Sequence, residues 1–251
     1  MDDEVPLLIL INLDSAFERR ELMARQLDAI GVAWERIGID MRTRSAAEIA
    51  AWVDAHFPKF SFDLNSLSGA EVGCWLSHLS AWYRLLEDDH AHTCIVIEDD
   101  LVLAPDFANA IAALESQAAF DVVYLGTSSK NLSARRRTGI GRFWAHESVG
   151  AVYNTWGYVV TRAYIEYLFR GAPIRLGMPV DHFLGGAAAA ARPRIAVLQP
   201  AVVDEHPVLG AASQIGPHTN RLDRWRLLEA ARRRLLSSRV GALYYSLYRF
   251  M

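Results

Sequence analysis

The N-terminal part of the chain alternates between strand-like and helix-like segments, and this alternation constrains the fold more than any other feature. Residues 5–13 form a continuous apolar run, which predicts a strand buried on both faces. Residues 17–30 carry an apolar stripe at helical spacing, and Gly31 stands where a helix commonly ends. Residues 32–39 are β-branched and aromatic and predict a second strand. A strand, a helix and a strand within about 35 residues predict a βαβ unit, and therefore an α/β fold with a parallel sheet.

Later segments continue the alternation. Two capping boxes, Ser45 with Glu48 and Ser68 with Glu71, predict the starts of two helices. Further strands are predicted at residues 93–97, 120–125, 151–161 and 195–203, and further helices from residue 105 and over residues 162–170. Residues 128–148 are polar and rich in Arg and Gly, and they predict a mobile loop.

Composition excludes several classes of protein. The 251 residues are 52% hydrophobic and 22% charged, which is typical of a globular protein. Two cysteines are too few for a disulfide framework, and no apolar run approaches the roughly 20 residues of a membrane-spanning helix. Three of the first four residues are acidic where a signal peptide would be basic, so we expect a cytoplasmic protein. The net charge of −3 argues against a nucleic-acid-binding protein.

The near-neutral charge is an average over two unlike parts. Residues 219–251 hold eight Arg against one Asp and one Glu, a net charge of +6, so residues 1–218 carry −9. Large apolar side chains from Trp225 to Phe250 interleave with these arginines and predict a basic amphipathic helix. Such a helix is typical of attachment to an anionic membrane surface. A helix that packs its apolar stripe on the core is the alternative.

Three adjacent acids, residues 98–100 (Glu, Asp, Asp), directly follow the predicted strand at 93–97. Neighbouring carboxylates at the end of a buried strand repel one another unless a cation neutralises them. Ligands of open α/β sheets bind at this end of the strands, and oxygen ligands on one short turn suit Mg²⁺ or Mn²⁺, which in turn suits a diphosphate. A solvated acidic turn is the alternative.

Three segments follow one another in a characteristic order: residues 11–14 followed by Arg19 and Arg20, residues 67–78 and residues 97–103. Together they resemble glycosyltransferase family 25, with weaker similarity at residues 157–160 and 179–184. The similarity covers about residues 5–205. It implies a GT-A fold, which has a Rossmann-like, mostly parallel sheet flanked by helices. We therefore expect a GT-A domain at residues 1–218 and a basic helical tail at residues 219–251.

The resemblance also implies an activity. Family members use a nucleotide-sugar donor, usually with Mn²⁺ or Mg²⁺, and transfer the sugar with inversion at the anomeric carbon, often galactose from UDP-galactose. They include bacterial lipooligosaccharide galactosyltransferases and relatives of the collagen galactosyltransferases. The expected acceptor is a saccharide, such as a bacterial surface glycolipid. The expected location is therefore cytoplasmic and peripheral on the inner membrane, with the tail on the anionic inner leaflet and no nucleic acid bound.

Similarity to the family's motifs implies roles for individual residues. The predicted metal ligands are Asp100, Glu98 and His206, and the predicted base is Asp181, with Glu205 and Asp204 as further candidates. The predicted donor-binding residues are Asn12, Leu13, Asp14, Arg19, Arg20, His78, Glu98 and Asp99. For these residues a structural alternative stays open: a solvated helix face for each Arg, a surface loop for Asp181, a solvated His206, and a structural hydrogen bond for His78.

Two other functions remain open. The same fold could use a different donor, such as UDP-glucose or a UDP-N-acetylhexosamine. The chain could also be a non-catalytic protein that binds sugar nucleotides and serves as a scaffold. The intact acids at residues 98–100 disfavour the scaffold, because an inactive relative could lose them freely.

Overall fold

A computed structural model describes residues 7–115, 119–128, 132–148, 151–170, 173–187 and 193–206. The strands are β1 (Leu7–Ile11), β2 (Glu35–Ile37), β3 (Phe60–Phe62), β4 (Thr93–Glu98), β5 (Leu101–Leu103), β6 (Val122–Gly126), β7 (Leu132–Ile140), β8 (Phe143–Ser148), β9 (Gly157–Thr161), β10 (Ile174–Leu176), β11 (Ile195–Gln199) and β12 (Val203–Glu205). The helices are α1 (Phe17–Ile30), α2 (Ala46–His56), α3 (Gly69–Glu87), α4 (Phe107–Glu115), α5 (Arg162–Phe169) and the short α6 (Val180–His182), which continues into a π-helical turn at Phe183–Ala187. Among these helices, none is long and apolar enough to cross a bilayer.

The described residues form one large sheet of eight strands in the order β2-β1-β4-β9-β6-β11-β8-β7. Strand β1 lies parallel to both β2 and β4, as the predicted βαβ unit requires. Strand β9 is antiparallel to β4 and β6, and β8 is antiparallel to β11 and β7, so the remaining six strands share one direction. The expected α/β fold with a mostly parallel sheet is therefore confirmed. Two two-stranded sheets, β10 with β3 and β12 with β5, lie beside it.

Both faces of the sheet are covered by helices. In β1, Leu7 and Ile9 point into a core shared with α2, α3 and α5, whereas Leu8 and Leu10 point into a second core with α1 and α4. All four side chains are at most 7% exposed. The continuous apolar run of this segment, with no polar alternation, follows from this double burial.

The helix ends confirm the local signals. The hydroxyls of Ser45 and Ser68 accept hydrogen bonds from the backbone N–H groups of Glu48 and Glu71, and the carboxylates of the two glutamates accept hydrogen bonds from the serine N–H groups. These reciprocal bonds satisfy donors that a helix start leaves unpaired. Helix α1 ends at Gly31, whose φ of 69° is the left-handed conformation that favours glycine.

The predicted mobile loop at residues 128–148 is wrong for most of its length, because β7 and β8 form an antiparallel hairpin there. Its turn-side residues Ile140, Phe143 and Ala145 are buried in the core shared with α4. On the other side, the Arg137 guanidinium lies 4.2 Å over the ring of Trp144. Among the described residues β7 is the last strand of the sheet. Edge strands tolerate charged side chains, so the polar composition of β7 resembles that of a loop.

The expected C-terminal helix at residues 219–251 lies outside the described residues. The strand predicted at 195–203 is interrupted at Pro200. Its first part, β11, ends at Gln199, and the chain resumes as β12 in a different sheet.

Candidate active site

The carboxyl ends of β1 and β4 bring the first and third family-like segments together. These strands are parallel neighbours, and their register pairs Ile11 with Glu98. The residues that follow each strand therefore meet at one edge of the sheet, where open α/β folds bind ligands. The residue after β2, Gly38, packs closely against this edge, because a Cβ atom on it would lie only 2.1 Å from the Asn12 carbonyl oxygen.

Asp99 is the buried anchor of this edge. Its Oδ2 accepts a hydrogen bond from Asn12 Nδ2 at 2.7 Å, and its Oδ1 accepts one from Arg19 at 3.0 Å. The second amide hydrogen of Asn12 is donated to the Ala16 carbonyl at 3.0 Å. All three side chains lie in the protein interior, because Asn12, Arg19 and Asp99 are 1%, 8% and 8% exposed. The structure thus places these three predicted donor-binding residues in a charged network beneath the site surface.

Asp100 contacts this network through one carboxylate oxygen, and its other oxygen accepts no hydrogen bond from the described residues. Its Oδ2 accepts a hydrogen bond from Arg19 at 3.2 Å, whereas its Oδ1 is buried and has no hydrogen-bond partner among the residues described. Burial raises the pKa of Asp100 to about 6, and the charges of Glu98 and Asp99 add to this effect while Arg19 opposes it. A buried carboxylate oxygen without a partner is costly, so Asp100 is the residue here that most needs a cation.

The small sheet of β5 and β12 carries the C-terminal candidates to the same place. Antiparallel pairing sets Glu205 opposite Leu101, and the backbone N–H of His206 donates to the Asp100 carbonyl at 2.7 Å. The side chains of Asp204 and Glu205 are exposed, and that of His206 is half-buried. The backbones of the predicted metal ligands His206 and Asp100 are therefore adjacent although the two residues are distant in sequence.

Two buried side chains, Thr155 and His78, contact Glu98. Its Oε1 accepts a hydrogen bond from the Thr155 hydroxyl at 2.6 Å and lies 3.8 Å from Nε2 of His78. Burial alone would raise the pKa of Glu98, but the His78 ring, the Thr155 hydroxyl and the Arg19 charge together lower it. Glu98 is therefore a carboxylate at neutral pH. Within the described structure none of its contacts involves Oε2, which is left for a ligand.

His78 is fully buried in α3, one helical turn after Cys74. Its Nδ1 lies 2.8 Å from the Tyr158 hydroxyl, and Nε2 has no hydrogen-bond partner within the described ranges. The structural alternative for His78, a hydrogen bond within the protein, is therefore present, because its Nδ1 contacts the hydroxyl of the buried Tyr158. Ligand atoms of Cys74, His78 and Glu98 all lie within 4.8 Å of one another.

Asp181 lies in the short helix α6, which begins directly after Pro179. Its Oδ1 accepts a hydrogen bond from the His182 N–H at 2.8 Å, and the Asn154 N–H approaches its Oδ2 at 3.5 Å. Burial raises the pKa of the Cys74 thiol, and the charges of Glu98 and Asp181 raise it further. Asn154 directly precedes Thr155, whose hydroxyl binds Glu98, so the segment before β9 connects Asp181 with the carboxyl edge of the sheet.

Three predicted donor-binding residues stand apart from these carboxylates in the described contacts. Asp14 is exposed and pairs with Arg36 at 2.7 Å, the Arg20 guanidinium lies 5.0 Å over the Phe17 ring, and Leu13 is half-buried. Conversely, sequence reasoning missed Thr155, which binds Glu98 directly. The only signal for Thr155 is its position two residues before the family-like segment 157–160.

Asp100 and Glu98 are donors of the type that fits a hard divalent cation. Asp100 Oδ1 is an orphaned buried acceptor, and Glu98, two residues earlier, is a second carboxylate. The group of three potential ligands that the described residues bring within 4.8 Å of one another is Cys74, His78 and Glu98, which includes neither Asp100 nor His206. Oxygen ligands of this kind suit Mg²⁺ and Mn²⁺. Asp99 does not fit, because both of its oxygens already accept hydrogen bonds.

Known proteins match the chain over most of its length. A family model described as "Glycosyltransferase family 25 (LPS biosynthesis protein)" matches residues 6–184. Procollagen galactosyltransferase 1 of Danio rerio is 30% identical over 72% of this chain and 31% of its own length. A glycosyltransferase 25 family member of Drosophila melanogaster is 28% identical over 70% of this chain and 30% of its own. The chain spans about a third of the length of these relatives.

Two further similarities qualify this result. The "Inactive glycosyltransferase 25 family member 3" of Homo sapiens is 27% identical over 57% of this chain and 22% of its own length. A solved structure of mannose-1-phosphate geranyltransferase from Thermus thermophilus aligns at 14% identity with a TM-score of 0.38 over 77% of this chain and 73% of that one, which is too distant to carry an argument. Because the family model matches well over half of the chain, the chain belongs to glycosyltransferase family 25.

Proposed function

We propose that this chain is a GT-A-type inverting glycosyltransferase that moves a hexose, galactose in the first instance, from a UDP-sugar to a saccharide acceptor. One observation carries the proposal: the unpartnered, buried Oδ1 of Asp100 lies at the carboxyl edge of the sheet next to Glu98. This is a place for a divalent cation and the diphosphate that it binds.

The proposed reaction needs three functions from the protein. Asp100 and Glu98, with His206 beside them, would hold Mn²⁺ or Mg²⁺, which when bound acts as a Lewis acid that stabilises the departing nucleoside diphosphate. A carboxylate base takes the proton of the acceptor hydroxyl as its oxygen forms a bond to the anomeric carbon and the bond to the diphosphate breaks. Arg19 orients Asp99 and Asp100 and offsets their charge before any ligand binds.

Asp181 is the better placed of the two proposed bases. Inversion requires the attacking hydroxyl and the leaving diphosphate to lie on opposite sides of the anomeric carbon. Glu205 directly precedes His206, whose N–H binds the Asp100 carbonyl, so it lies on the diphosphate side. Asp181 instead lies in α6, whose Val180 is buried in the core shared with α3, and the Asn154 N–H approaches its Oδ2. This separation favours Asp181 as the base and leaves Glu205 for ligand contact.

Donor and acceptor are proposed from the relatives. Galactose is proposed because procollagen galactosyltransferases are among them, and a lipopolysaccharide or lipooligosaccharide acceptor is proposed because the family description names LPS biosynthesis. UDP-glucose and UDP-N-acetylhexosamines are the alternative donors. A non-catalytic scaffold is the alternative class, and the relative whose name includes "inactive" is the observation in its favour.

Thermal unfolding with a panel of nucleotide sugars tests the proposal. A ligand that binds only the native state raises its apparent stability by about 2.7 kcal/mol at a concentration one hundred times its Kd. We expect UDP-galactose to raise the melting temperature in the presence of Mn²⁺ and not in its absence, with GDP- and CMP-sugars as controls. A protein indifferent to every nucleotide sugar, with and without metal, would contradict the proposal.

We also propose that the protein acts in the cytoplasm, peripherally on the inner membrane, through residues 219–251. The support is their net charge of +6 and their interleaved apolar side chains. We expect removal of these residues to abolish sedimentation with vesicles rich in anionic lipid while the metal-dependent response to UDP-galactose persists. Full-length protein on neutral vesicles is the control. Equal sedimentation of the truncated protein would show that the tail does not bind the membrane.

A further inference from the structure

A buried row of polar side chains connects α3 to Glu98 through β9. The Trp82 indole nitrogen lies 3.0 Å from the Tyr158 hydroxyl, which lies 2.8 Å from Nδ1 of His78. The other ring nitrogen of His78, Nε2, lies 3.8 Å from Oε1 of Glu98. Trp82, Tyr158 and His78 are each at most 1% exposed. No step of the proposed reaction uses these three residues.

The donor of Trp82 and the acceptor available to the Tyr158 hydroxyl together favour one direction for each hydrogen bond in this row. An indole N–H can only donate, so the Tyr158 oxygen accepts from Trp82. The hydroxyl hydrogen of Tyr158 then has one described acceptor, Nδ1 of His78. A neutral imidazole that accepts at Nδ1 carries its proton on Nε2. Histidine tautomers are set by the bond that the other nitrogen makes, and here that bond comes from Tyr158.

This tautomer points an N–H at the candidate active site. With the proton on Nε2, the positive end of the N–H dipole faces the Glu98 carboxylate, whereas the other tautomer would set a lone pair against it. The distance of 3.8 Å makes this an electrostatic contact rather than a hydrogen bond. The Thr155 hydroxyl holds the same oxygen, Oε1, at 2.6 Å. Two donors therefore fix one oxygen of Glu98 and leave Oε2 to face a ligand.

We infer that His78 is a positioning residue, whose tautomer is set by Trp82 and Tyr158 so that its Nε2–H holds the Glu98 carboxylate toward the nucleotide-sugar site. The consequence for catalysis rests on the proposed function, but the tautomer does not. The geometry also separates this role from a zinc site built from Cys74, His78 and Glu98. Zinc would need a lone pair on Nε2, and therefore the tautomer that the Tyr158 hydroxyl opposes.

Long-range ¹H–¹⁵N spectra of the full chain test the tautomer directly, with the His78 signals assigned by their loss in His78→Gln. We expect the proton on Nε2 in the wild type and a mixture of tautomers in Tyr158→Phe. Tyr124→Phe is the matched control, because its ring lies 6.3 Å from that of Tyr158 and its buried hydroxyl has no partner in the described part of the chain. It should retain the wild-type tautomer.

Two results of these spectra would overturn the inference. A proton on Nδ1 in the wild type would do so, and so would an unchanged single tautomer in Tyr158→Phe. Addition of one equivalent of Zn²⁺ should leave the His78 signals unchanged. Loss of the Nε2 proton with zinc, abolished by Cys74→Ser and retained in Cys94→Ser, would instead establish a metal site.

Kinetics test the consequence for Glu98. His78→Phe removes the N–H donor, and loss of such a supporting contact typically costs about 10- to 100-fold in ligand affinity or activity. We expect KM for UDP-galactose to rise by that factor, and His78→Gln, which keeps an N–H at the end of the side chain, to recover most of it. Leu114→Ala, a buried change in α4, is the control for lost stability and should leave KM unchanged.

Different outcomes of these experiments test the positioning role of His78 and the proposed function. A KM in His78→Phe equal to that of the wild type, or one raised equally in Leu114→Ala, would overturn the positioning role. A wild-type protein that binds no nucleotide sugar would contradict the proposed function, and the spectra would still decide the tautomer.

Discussion

Replacement of Asp100 with asparagine is expected to abolish sugar transfer while making the protein more stable. Asparagine keeps the shape of the side chain and removes its charge, so it weakens the proposed metal site with little change in packing. Metal-assisted departure of a diphosphate is worth several kcal/mol, and each 1.36 kcal/mol is tenfold in rate. We therefore expect transfer from UDP-galactose to fall by about 10²-fold or more, measured as release of UDP.

The gain in stability follows from the pKa of Asp100. Its folded-state pKa of about 6 lies above its ordinary value of 3.8, chiefly because of burial. The folded protein therefore binds the proton more tightly than the unfolded chain, and the free energy of unfolding decreases as the pH rises from about 4 to about 6. Asparagine removes this cost, which is at most about 3 kcal/mol for a shift of this size.

Chemical denaturation at two pH values measures this effect. Asp100→Asn should exceed the wild type by about 1–3 kcal/mol at pH 7. The gain should fall short of its upper limit because Arg19 loses one of its two carboxylate partners. The difference should vanish near pH 4, where the wild-type carboxyl is protonated. Asp54→Asn, on the exposed surface of α2, is the control and should change neither quantity. A variant that is less stable than the wild type at pH 7, or as active, would contradict this description of Asp100.

Replacement of Asp181 with asparagine is expected to lower kcat by about 10²–10⁴-fold, the contribution of a general base. Asparagine cannot take the proton of the acceptor hydroxyl, but its remaining oxygen can still accept the His182 N–H, and the contact that it gives up is the long one from the Asn154 N–H at 3.5 Å. The donor site at Glu98 and Asp100 is untouched. The dissociation constant of UDP in the presence of Mn²⁺ should therefore stay within about threefold of the wild type.

The matched variant is Glu205→Gln, the same chemical change at the other proposed base. We expect it to weaken UDP binding more than it lowers kcat, because Glu205 lies beside the metal candidates. If Glu205→Gln loses kcat and Asp181→Asn does not, the two assignments are exchanged. A large loss of UDP affinity in Asp181→Asn would place Asp181 in the donor site.

Much of the fold follows from local sequence signals. The uninterrupted apolar run of β1 reflects burial on both faces, and the capping boxes at Ser45 and Ser68 form as their spacing requires. Such signals act within a few residues, so a single sequence contains them completely. The acids at residues 98–100 were likewise visible, because their position at the end of a buried strand is a local property.

The different contacts of the three acids at residues 98–100 could not be predicted from the sequence. Residues 98–100 are alike in sequence, but Arg19 and Asn12 bind both oxygens of Asp99, whereas Asp100 keeps one oxygen free of hydrogen bonds to the described residues. The partners come from positions some 80 residues away. The contact of Thr155 with Glu98 and the pairing of β12 with β5 depend on strand order in the same way. Long-range pairing of this kind leaves no periodicity in the sequence.

The central claim is that Asp100 and Glu98 form a metal-dependent site for a nucleoside diphosphate. Isothermal titration calorimetry of UDP into the wild type and Asp100→Asn, each with and without Mn²⁺, tests it most directly. We expect the wild type to bind UDP with Mn²⁺ and at least about tenfold more weakly without it, and Asp100→Asn to show only the weak binding in both conditions. Equal UDP affinity in the two proteins in the presence of Mn²⁺ would contradict the claim.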